Sequence, residues 1–238
     1  MKKFQALLVL VSLIFITFVG NAFGANGEES QPQTTGWFRV DSDALGLQVW
    51  AGGTHKVGPL NLASLIYVNS AQRGEFDLGL SFTHKSFTIV PMNGFQFDWS
   101  ERRLVSLVPE TFIYVVPETI PLYFESWVQF FVNRPFTDAP NQFYTRDFLL
   151  MRVSKNLLFG PQAELLMNVT KDGLNKDSIL SLPVGGHADI MYGPADTLGL
   201  FLGYECIHSA RRFTVQEATP AVVEDRGLVG RFTYIHMF

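Results

Sequence analysis

The chain has 238 residues, a formal net charge of −4, 47 % hydrophobic residues and a mean hydropathy of +0.15. Such a mildly acidic composition lacks the basic surface that phosphate neutralisation requires, which excludes nucleic acid as a partner. The single cysteine, Cys206, cannot close an internal disulfide, and no Cys/His spacing indicates zinc. The sequence therefore predicts no metal and no cofactor.

The first residues have the layout of a secretory signal peptide. Lys2 and Lys3 precede an apolar run over 6–19, and small residues follow it. The run is too short for an ordinary spanning helix, which needs about 20 apolar residues. Removing the peptide takes the formal net charge from −4 to −6, because two lysines and no acid are lost. We predict three segments: a signal peptide over 1–24, a flexible N-terminal segment over 25–35 and one domain over 36–238.

Beyond the signal peptide, apolar residues recur at every second position. In the clearest run, Phe76, Leu78 and Leu80 alternate with polar residues or glycine. This is the period of a β-strand whose two faces meet different surroundings, and helical periodicity is absent. No later apolar segment is long and uncharged enough for a spanning helix. The pattern predicts an all-β fold with one extensive apolar face, which either fills a soluble core or faces lipid.

The turns between these runs alternate in length. Short turns at 117–119, 155–156 and 193–196 alternate with longer segments at 136–142, 171–177 and 209–226. Outer-membrane barrels have short periplasmic turns and long outer loops. We place twelve strands near 36–42, 44–52, 59–69, 74–84, 87–99, 103–116, 121–134, 143–154, 157–169, 178–192, 197–208 and 227–238. Ten strands are the alternative, because the connection at 41–43 is very tight.

Four prolines fall inside the proposed strands: Pro91, Pro109, Pro161 and Pro183. Proline has no N–H, so each one deletes a ladder hydrogen bond and is unusual within a central strand. We expect bulges or strand ends at these positions.

The last strand carries a family resemblance. Five of its residues share one face, opposite Arg231 and Thr233: Gly230, Phe232, Tyr234, His236 and Phe238. This pattern resembles the terminal strand of bacterial outer-membrane β-barrel proteins, although His236 stands where Tyr or an apolar residue is usual. The resemblance implies a closed antiparallel transmembrane β-barrel with an up-and-down meander, in contact with the bilayer and lipopolysaccharide. It also implies that Phe232, Tyr234 and Phe238 form the signal read by the barrel-assembly machinery. A soluble periplasmic sandwich or lipocalin-like barrel is the alternative.

If the apolar face meets lipid, the polar face turns inward, because charged side chains are costly on the lipid face. The predicted lumen lining is Glu75, Asp77, Gln96, Asp98, Glu125, Gln129, Glu164, His187, Asp189, Glu205 and Arg231. Arg231 is expected to pair with Glu205 on the preceding strand. This mostly acidic set would favour cations or polar neutral solutes over anions. A barrel of this size can also be filled by its own side chains.

Three functions follow from this interpretation. The first is a narrow channel for small cationic or polar solutes, and the second is a structural or surface-interaction barrel with a closed lumen. The third is a lipid-ester hydrolase using His84 and Ser86, with Asp98 as the orienting acid. By alternation His84 and Ser86 face lipid whereas Asp98 faces the lumen, so we assign no catalytic residue and predict that the protein is not an enzyme.

Two surface features complete the prediction. In the long loop, Arg211 and Arg212 are expected to be solvated, with lipopolysaccharide phosphate as the alternative partner. Aromatic girdles at the two membrane interfaces are predicted from Trp37, Trp50, Trp99, Trp127, Tyr67, Tyr114, Tyr192 and Tyr234.

Overall fold

The computed structural model describes residues 34–43, 46–170, 179–207 and 227–238. The predicted signal peptide and the pair Arg211 and Arg212 lie outside these ranges. No helix that could cross a membrane occurs among the described residues. The strands are β1 (Thr34–Asp43), β2 (Gly46–Val57), β3 (Leu60–Asn69), β4 (Arg73–Leu80), β5 (Phe82–His84), β6 (Phe87–Asp98), β7 (Arg103–Val115), β8 (Leu122–Phe131), β9 (Gln142–Ser154), β10 (Leu157–Asn168), β11 (Ile179–Ser181), β12 (Pro183–Met191), β13 (Asp196–Glu205) and β14 (Leu228–Met237).

Twelve of these strands form a closed antiparallel barrel. The two short strands continue others: β5 follows β4 and pairs with β6, and β11 precedes β12 and pairs with β10. The ring closes where β1 pairs with β14, with Trp37 opposite Met237 and Val40 opposite Tyr234. The predicted twelve-strand up-and-down barrel is therefore confirmed. The ten-strand alternative is wrong, because β1 and β2 are two full strands paired along their length.

The connections differ between the two ends of the barrel. At the end where β1 begins and β14 ends, they are short, as at 58–59, 85–86 and 155–156. At the other end they lengthen along the chain, from 44–45 to 206–227. Short turns on the side of the termini and long loops opposite are the arrangement of outer-membrane barrels.

The prolines in the strands lie where one of the two neighbouring ladders is interrupted. Pro109 on β7 is opposite Asn93 of β6, but pairing with β8 stops at Glu110 and returns only as an isolated bridge at Leu107. Pro161 on β10 likewise keeps its pairing with β12, whereas the ladder to β9 is interrupted around it. A missing N–H is tolerated there because the strand is held from its other side.

The two remaining prolines lie at breaks between strand segments. Pro91 is paired with β7 but faces the gap between β4 and β5, and Pro183 is the first residue of β12 after the break from β11. The register shifts lie elsewhere, at Gln96/Phe97, Leu157/Leu158 and Leu166/Met167. The expected bulges therefore do not occur at the prolines, and a strand end is correct only for Pro183.

Large apolar side chains cover the outer surface of the barrel. Ile66, Phe82 and Leu200 are 51 %, 50 % and 55 % exposed. Alternate residues on the same strands turn inward and include buried carboxylates and amides. Soluble monomers rarely expose contiguous apolar patches beyond a few hundred Å². An apolar exterior around a polar interior is instead the arrangement of a barrel in lipid.

Alanine substitutions at two neighbouring glycines of β12, Gly185 and Gly186, would test whether β12 approaches β13 closely. A Cβ on Gly185 would lie 2.1 Å from the carbonyl oxygen of Leu202, whereas one on Gly186 would meet nothing closer than a Phe159 ring carbon at 3.6 Å. We expect Gly185→Ala to lower the free energy of unfolding by about 1–3 kcal/mol. The matched Gly186→Ala should change it by less than about 0.5 kcal/mol. Urea unfolding in detergent, followed by tryptophan fluorescence, measures both, and equal effects would contradict the close approach of the two strands at Gly185.

Candidate functional site

The charged side chains buried inside the barrel are mostly acidic. Among the described residues, eight carboxylates are buried against two guanidinium groups. They project from the inner face of the sheet, and several bond to strands that are not their neighbours. Contacts of this kind cross the interior, so the polar side chains fill part of the barrel instead of only coating its wall.

The structure places the predicted lumen residues on this inner side. Gln96, Asp189 and Arg231 are partly buried and bond to buried or inward partners, as in the 3.0 Å contact from Gln96 to Glu75 and the 2.8 Å contact between Asp189 and His187. The other eight are buried: Glu75, Asp77, Asp98, Glu125, Gln129, Glu164, His187 and Glu205.

Arginines on three strands form an ion-pair network with carboxylates from across the barrel, which we call the arginine network. Arg231 on β14 donates to Asp43 on β1 at 2.9 Å and to Glu164 on β10 at 3.2 Å. Arg146 on β9 lies 3.5 Å from Asp41 on β1, which also accepts a 2.8 Å bond from Arg39. Because β9 is not a neighbour of β1, and β10 is not a neighbour of β14, the Arg146–Asp41 and Arg231–Glu164 bonds link distant parts of the wall.

The predicted pair of Arg231 with Glu205 is wrong. Arg231 is in register with Phe201, and Glu205 lies four residues further along β13, about 13 Å away. Glu205 instead accepts hydrogen bonds from the Ser181 hydroxyl at 2.5 Å and the Leu182 amide at 2.8 Å. The register of β13 against β14 therefore gives Arg231 different partners.

An aromatic cluster occupies the interior beside the arginine network. Trp50 and Trp127, only 5 % and 4 % exposed, meet edge to face with ring centroids 4.8 Å apart. They come from β2 and β8, which are five strands apart in a ring of twelve. Trp127 also stacks on Phe112 at 5.4 Å, and the Arg146 guanidinium lies 5.0 Å from its ring centroid. These side chains narrow the interior at this level.

The aromatic cluster corrects the predicted girdles. Besides the two buried tryptophans, Trp37, Tyr67 and Tyr114 pack against the cluster inside the barrel. The physical reason is register, since Trp50 is opposite the inward residues Arg39 and Tyr67 on its two neighbouring strands. Only Trp99 and Tyr192, at 57 % and 55 % exposed, together with the half-buried Tyr234, remain on the outer surface.

Three acidic residues form a carboxylate cluster on one wall: Glu75 and Asp77 of β4 and Glu110 of β7. One carboxylate oxygen from each lies within 4.8 Å of the others. The intervening strand β6 has Gly94 at the crossing point, and a Cβ there would lie 1.8 Å from Oδ1 of Asp77. Glycine therefore makes the room that lets acids from β4 and β7 approach each other.

Several inward charged residues were not predicted from the sequence: Glu110, Arg39, Asp41, Asp43, Arg73 and Arg146. On β7 the inward face also carries the buried apolar residues Val108 and Phe112, so no clean alternation marked Glu110. The sequence did indicate the position of Arg146. It lies four residues after the polar Gln142 on β9, and residues an even number apart on a strand share one face.

The residues of the hydrolase hypothesis are not brought together. His84 is exposed at the end of β5, beside the turn that contains Ser86. Asp98 ends β6 at the opposite end from Phe87, the residue paired with His84. Its carboxylate accepts a 2.6 Å bond from Ser100 and lies 3.2 Å from Arg73. The Asp98 carboxylate is therefore committed elsewhere.

The last strand presents its aromatic face outward. Phe232 and Phe238 are 49 % and 73 % exposed, and Tyr234 is half-buried. The Tyr234 hydroxyl donates to Asp196 at 2.9 Å, and the His236 ring lies 2.8 Å from the same carboxylate. The unusual His236 thus has a polar partner on the neighbouring strand.

Comparison with known proteins identifies the fold. No family model and no curated protein sequence matches the chain. Among solved structures, a KdgM porin in complex with disordered oligogalacturonate matches with a TM-score of 0.52 and 10 % identity, covering 86 % of this chain and 99 % of that one. A NanC porin matches with a TM-score of 0.52 and 8 % identity, covering 87 % and 100 %. The chain has the fold of outer-membrane β-barrel proteins, and its apolar exterior agrees with a bacterial outer-membrane location.

Arg231 provides a test of the arginine network. Arg231→Met would leave Glu164 and Asp43 without their shared cation, and breaking a buried ion pair costs about 3–5 kcal/mol. The matched control is Arg152→Met on β9, where an exposed guanidinium only touches the Lys155 carbonyl at 3.4 Å. We expect a clear fall in the urea midpoint for the first variant and almost none for the second. Equal midpoints would show that the network does not stabilise the barrel.

Proposed function

We propose that this protein is an outer-membrane channel for small polar solutes with a preference for cations. The observation that carries the proposal is the charge of the interior. Among the described residues, eight buried carboxylates together with the inward Asp43 and Asp189 outnumber four inward arginines, which are Arg39, Arg73, Arg146 and Arg231. Fixed negative charge inside a low-dielectric wall lowers the energy of a cation and raises that of an anion. The likeness to the KdgM and NanC porins supports a channel, because both have the same fold.

The proposed solutes differ from the one bound by the KdgM porin. Oligogalacturonate is a chain of acidic sugars, and its carboxylates would be repelled by an acidic interior. We therefore infer that this chain uses the shared fold for solutes of the opposite charge or of none.

The proposed channel is narrow. Trp50 contacts Trp127, and Arg146 contacts Asp41, each from nearly opposite strands. A twelve-strand barrel is wider than a barrel of about eight strands, which side chains can fill, but narrower than porins with about 16–18 strands. A solute would have to pass beside these contacts. The path would therefore admit only small ions and molecules.

The partners of the barrel extend the proposal. We propose that Phe232, Tyr234 and Phe238 present the assembly signal, and their outward position would make it accessible. The long-loop end, opposite the two termini, would face lipopolysaccharide after export by the predicted signal peptide.

A closed-lumen barrel with a structural or surface role is the second candidate. The observation that favours it is the same set of contacts across the interior, which would stop conduction if no path passes beside them. The two candidates differ in one measurable property, which is ionic current.

Planar lipid bilayers separate the two candidates. Purified protein in a KCl gradient is expected to give stepwise currents with a reversal potential shifted towards the K⁺ equilibrium potential, because the interior is acidic. A reversal potential shifted towards the Cl⁻ equilibrium potential would reject the cation preference. Folded protein that inserts without any current would reject the channel and leave the closed barrel.

Removing one aromatic residue from the constriction should enlarge the path. Trp127→Ala deletes a side chain that packs on Trp50 and Phe112, and we expect a larger single-channel conductance at a stability cost of about 3–5 kcal/mol. The control is Phe95→Ala, which shortens a lipid-facing ring that is 43 % exposed and should leave conductance unchanged. Heat-dependent gel mobility verifies that both variants are folded. Unchanged conductance in folded Trp127→Ala would place the constriction elsewhere.

A further inference from the structure

We infer that the carboxylate cluster of Glu75, Asp77 and Glu110 binds a divalent cation, with Ca²⁺ preferred. The site would lie in the barrel wall between β4 and β7, and its role would be to stabilise the fold. The inference is independent of the channel proposal, because the three residues would bind the ion whether or not the interior conducts.

Buried oxygens without hydrogen-bond donors make this cluster a candidate cation site. Asp77 is completely buried, and no N–H or hydroxyl group donates to either of its carboxylate oxygens, which leaves the neighbouring acid Glu75 as its only polar contact among the described residues. The Oε1 atom of Glu110 is also buried without a partner. A buried carboxylate without hydrogen bonds or a counter-charge is strongly unfavourable, so something must compensate these oxygens.

The arginines of the interior do not provide this compensation. Within the described ranges, the ion pairs of the inward arginines all involve other acids: Arg39 and Arg146 with Asp41, Arg73 with Asp98, and Arg231 with Asp43 and Glu164. The positive charge that the cluster needs must therefore come from solution, as a metal ion or as protons.

The surrounding residues hold two of the carboxylates in place. The Gln129 amide nitrogen donates to Glu75 at 3.2 Å and to Glu110 at 3.0 Å, from a third strand. Trp127 Nε1 donates to the same Glu110 oxygen at 2.8 Å, and Gln96 donates to the second oxygen of Glu75 at 3.0 Å. These bonds leave Glu110 Oε1 and both oxygens of Asp77 available for a cation. Outer residues that orient the ligands in this way are typical of metal sites.

The chemistry and spacing of the ligands favour Ca²⁺. All three side chains offer oxygen, which suits hard cations and disfavours zinc and copper. Two oxygens on opposite sides of Ca²⁺ are up to about 5 Å apart, whereas around Mg²⁺ they are about 4 Å apart. Because the cluster oxygens lie within 4.8 Å of one another, one cation could contact all three residues, and the flexible coordination of Ca²⁺ suits ligands fixed on a barrel wall better than the strict octahedron of Mg²⁺. Glu110 Oε1 and the two Asp77 oxygens would be the direct ligands with Glu75 beside them, and water would complete the coordination.

Calcium-dependent stability tests the site in the full-length mature protein, folded in a zwitterionic detergent free of lipopolysaccharide. Adding Ca²⁺ to protein freed of metal by a chelator should raise Tm by about 5–10 °C once Ca²⁺ reaches about a hundred times its Kd. Mg²⁺ should give a smaller shift. An equal shift with Mg²⁺ would overturn the preference for Ca²⁺, and the lack of any shift would overturn the site.

A terbium measurement reports on the site directly, because Tb³⁺ occupies calcium sites and is excited through a nearby tryptophan. Trp127 contacts Glu110, so excitation of tryptophan should give terbium emission that Ca²⁺ displaces. If wild-type protein gave no sensitised emission at any Tb³⁺ concentration below precipitation, the cluster would not be a metal site.

The variant Asp77→Asn distinguishes between the two ways of neutralising the cluster, which are a bound metal ion and bound protons. In chelator it should be at least as stable as the wild type, because one of three mutually repelling carboxylates is lost. In Ca²⁺ it should lose the Tm increment and the terbium emission. The matched control is Glu205→Gln, another buried acid whose oxygens are already bonded by Ser181 and Leu182, and it should keep the full increment. An equal Ca²⁺ increment in wild type and Asp77→Asn would overturn the inference.

Discussion

Pairing of β1 with β14 is the interaction on which the rest of the structure depends. In lipid no water can bond a free strand edge, so a sheet can cross a membrane only when its two edges join. The register of this seam, with Val40 opposite Tyr234, also decides which face of each terminal strand turns inward. Because side chains alternate between the two faces of each paired strand, the apolar residues of every strand then face outward and the charged residues face inward. Both the apolar exterior and the crowded polar interior therefore follow from the pairing of β1 with β14 that closes the barrel.

The interior then has to accommodate an excess of negative charge. Part of it is neutralised by the arginine network, in which Arg146 and Arg231 bind acids from distant strands. Another part, the carboxylate cluster, has amide and indole donors but no arginine among the described contacts. This separation accounts for both proposals. The overall acidity supports a preference for cations, and the unpaired cluster supports a specific cation site.

The constriction and the interrupted ladders occur in the same part of the barrel. Trp127 of β8 and Arg146 of β9 are directly opposite each other and carry the main contacts across the interior. The ladders on both outer sides of this strand pair are interrupted, around Pro109 and Pro161. Cross-barrel contacts from Trp127 and Arg146 therefore add to the backbone pairing that holds this hairpin in the wall.

The sequence by itself determined the class of fold, a count of twelve strands with ten left open, and which side chains of the clearest runs face inward, as for Glu75 and Gln129. These features depend on local alternation and turn lengths, which can be read without knowing what lies opposite. The tertiary structure alone decided the partners: Arg231 binds Glu164 instead of Glu205, Trp50 is inside instead of in a girdle, and Glu110 joins Asp77 across Gly94. Such contacts depend on strand register and on which strands close the ring. Residues far apart in the chain set both, so no local pattern contains them.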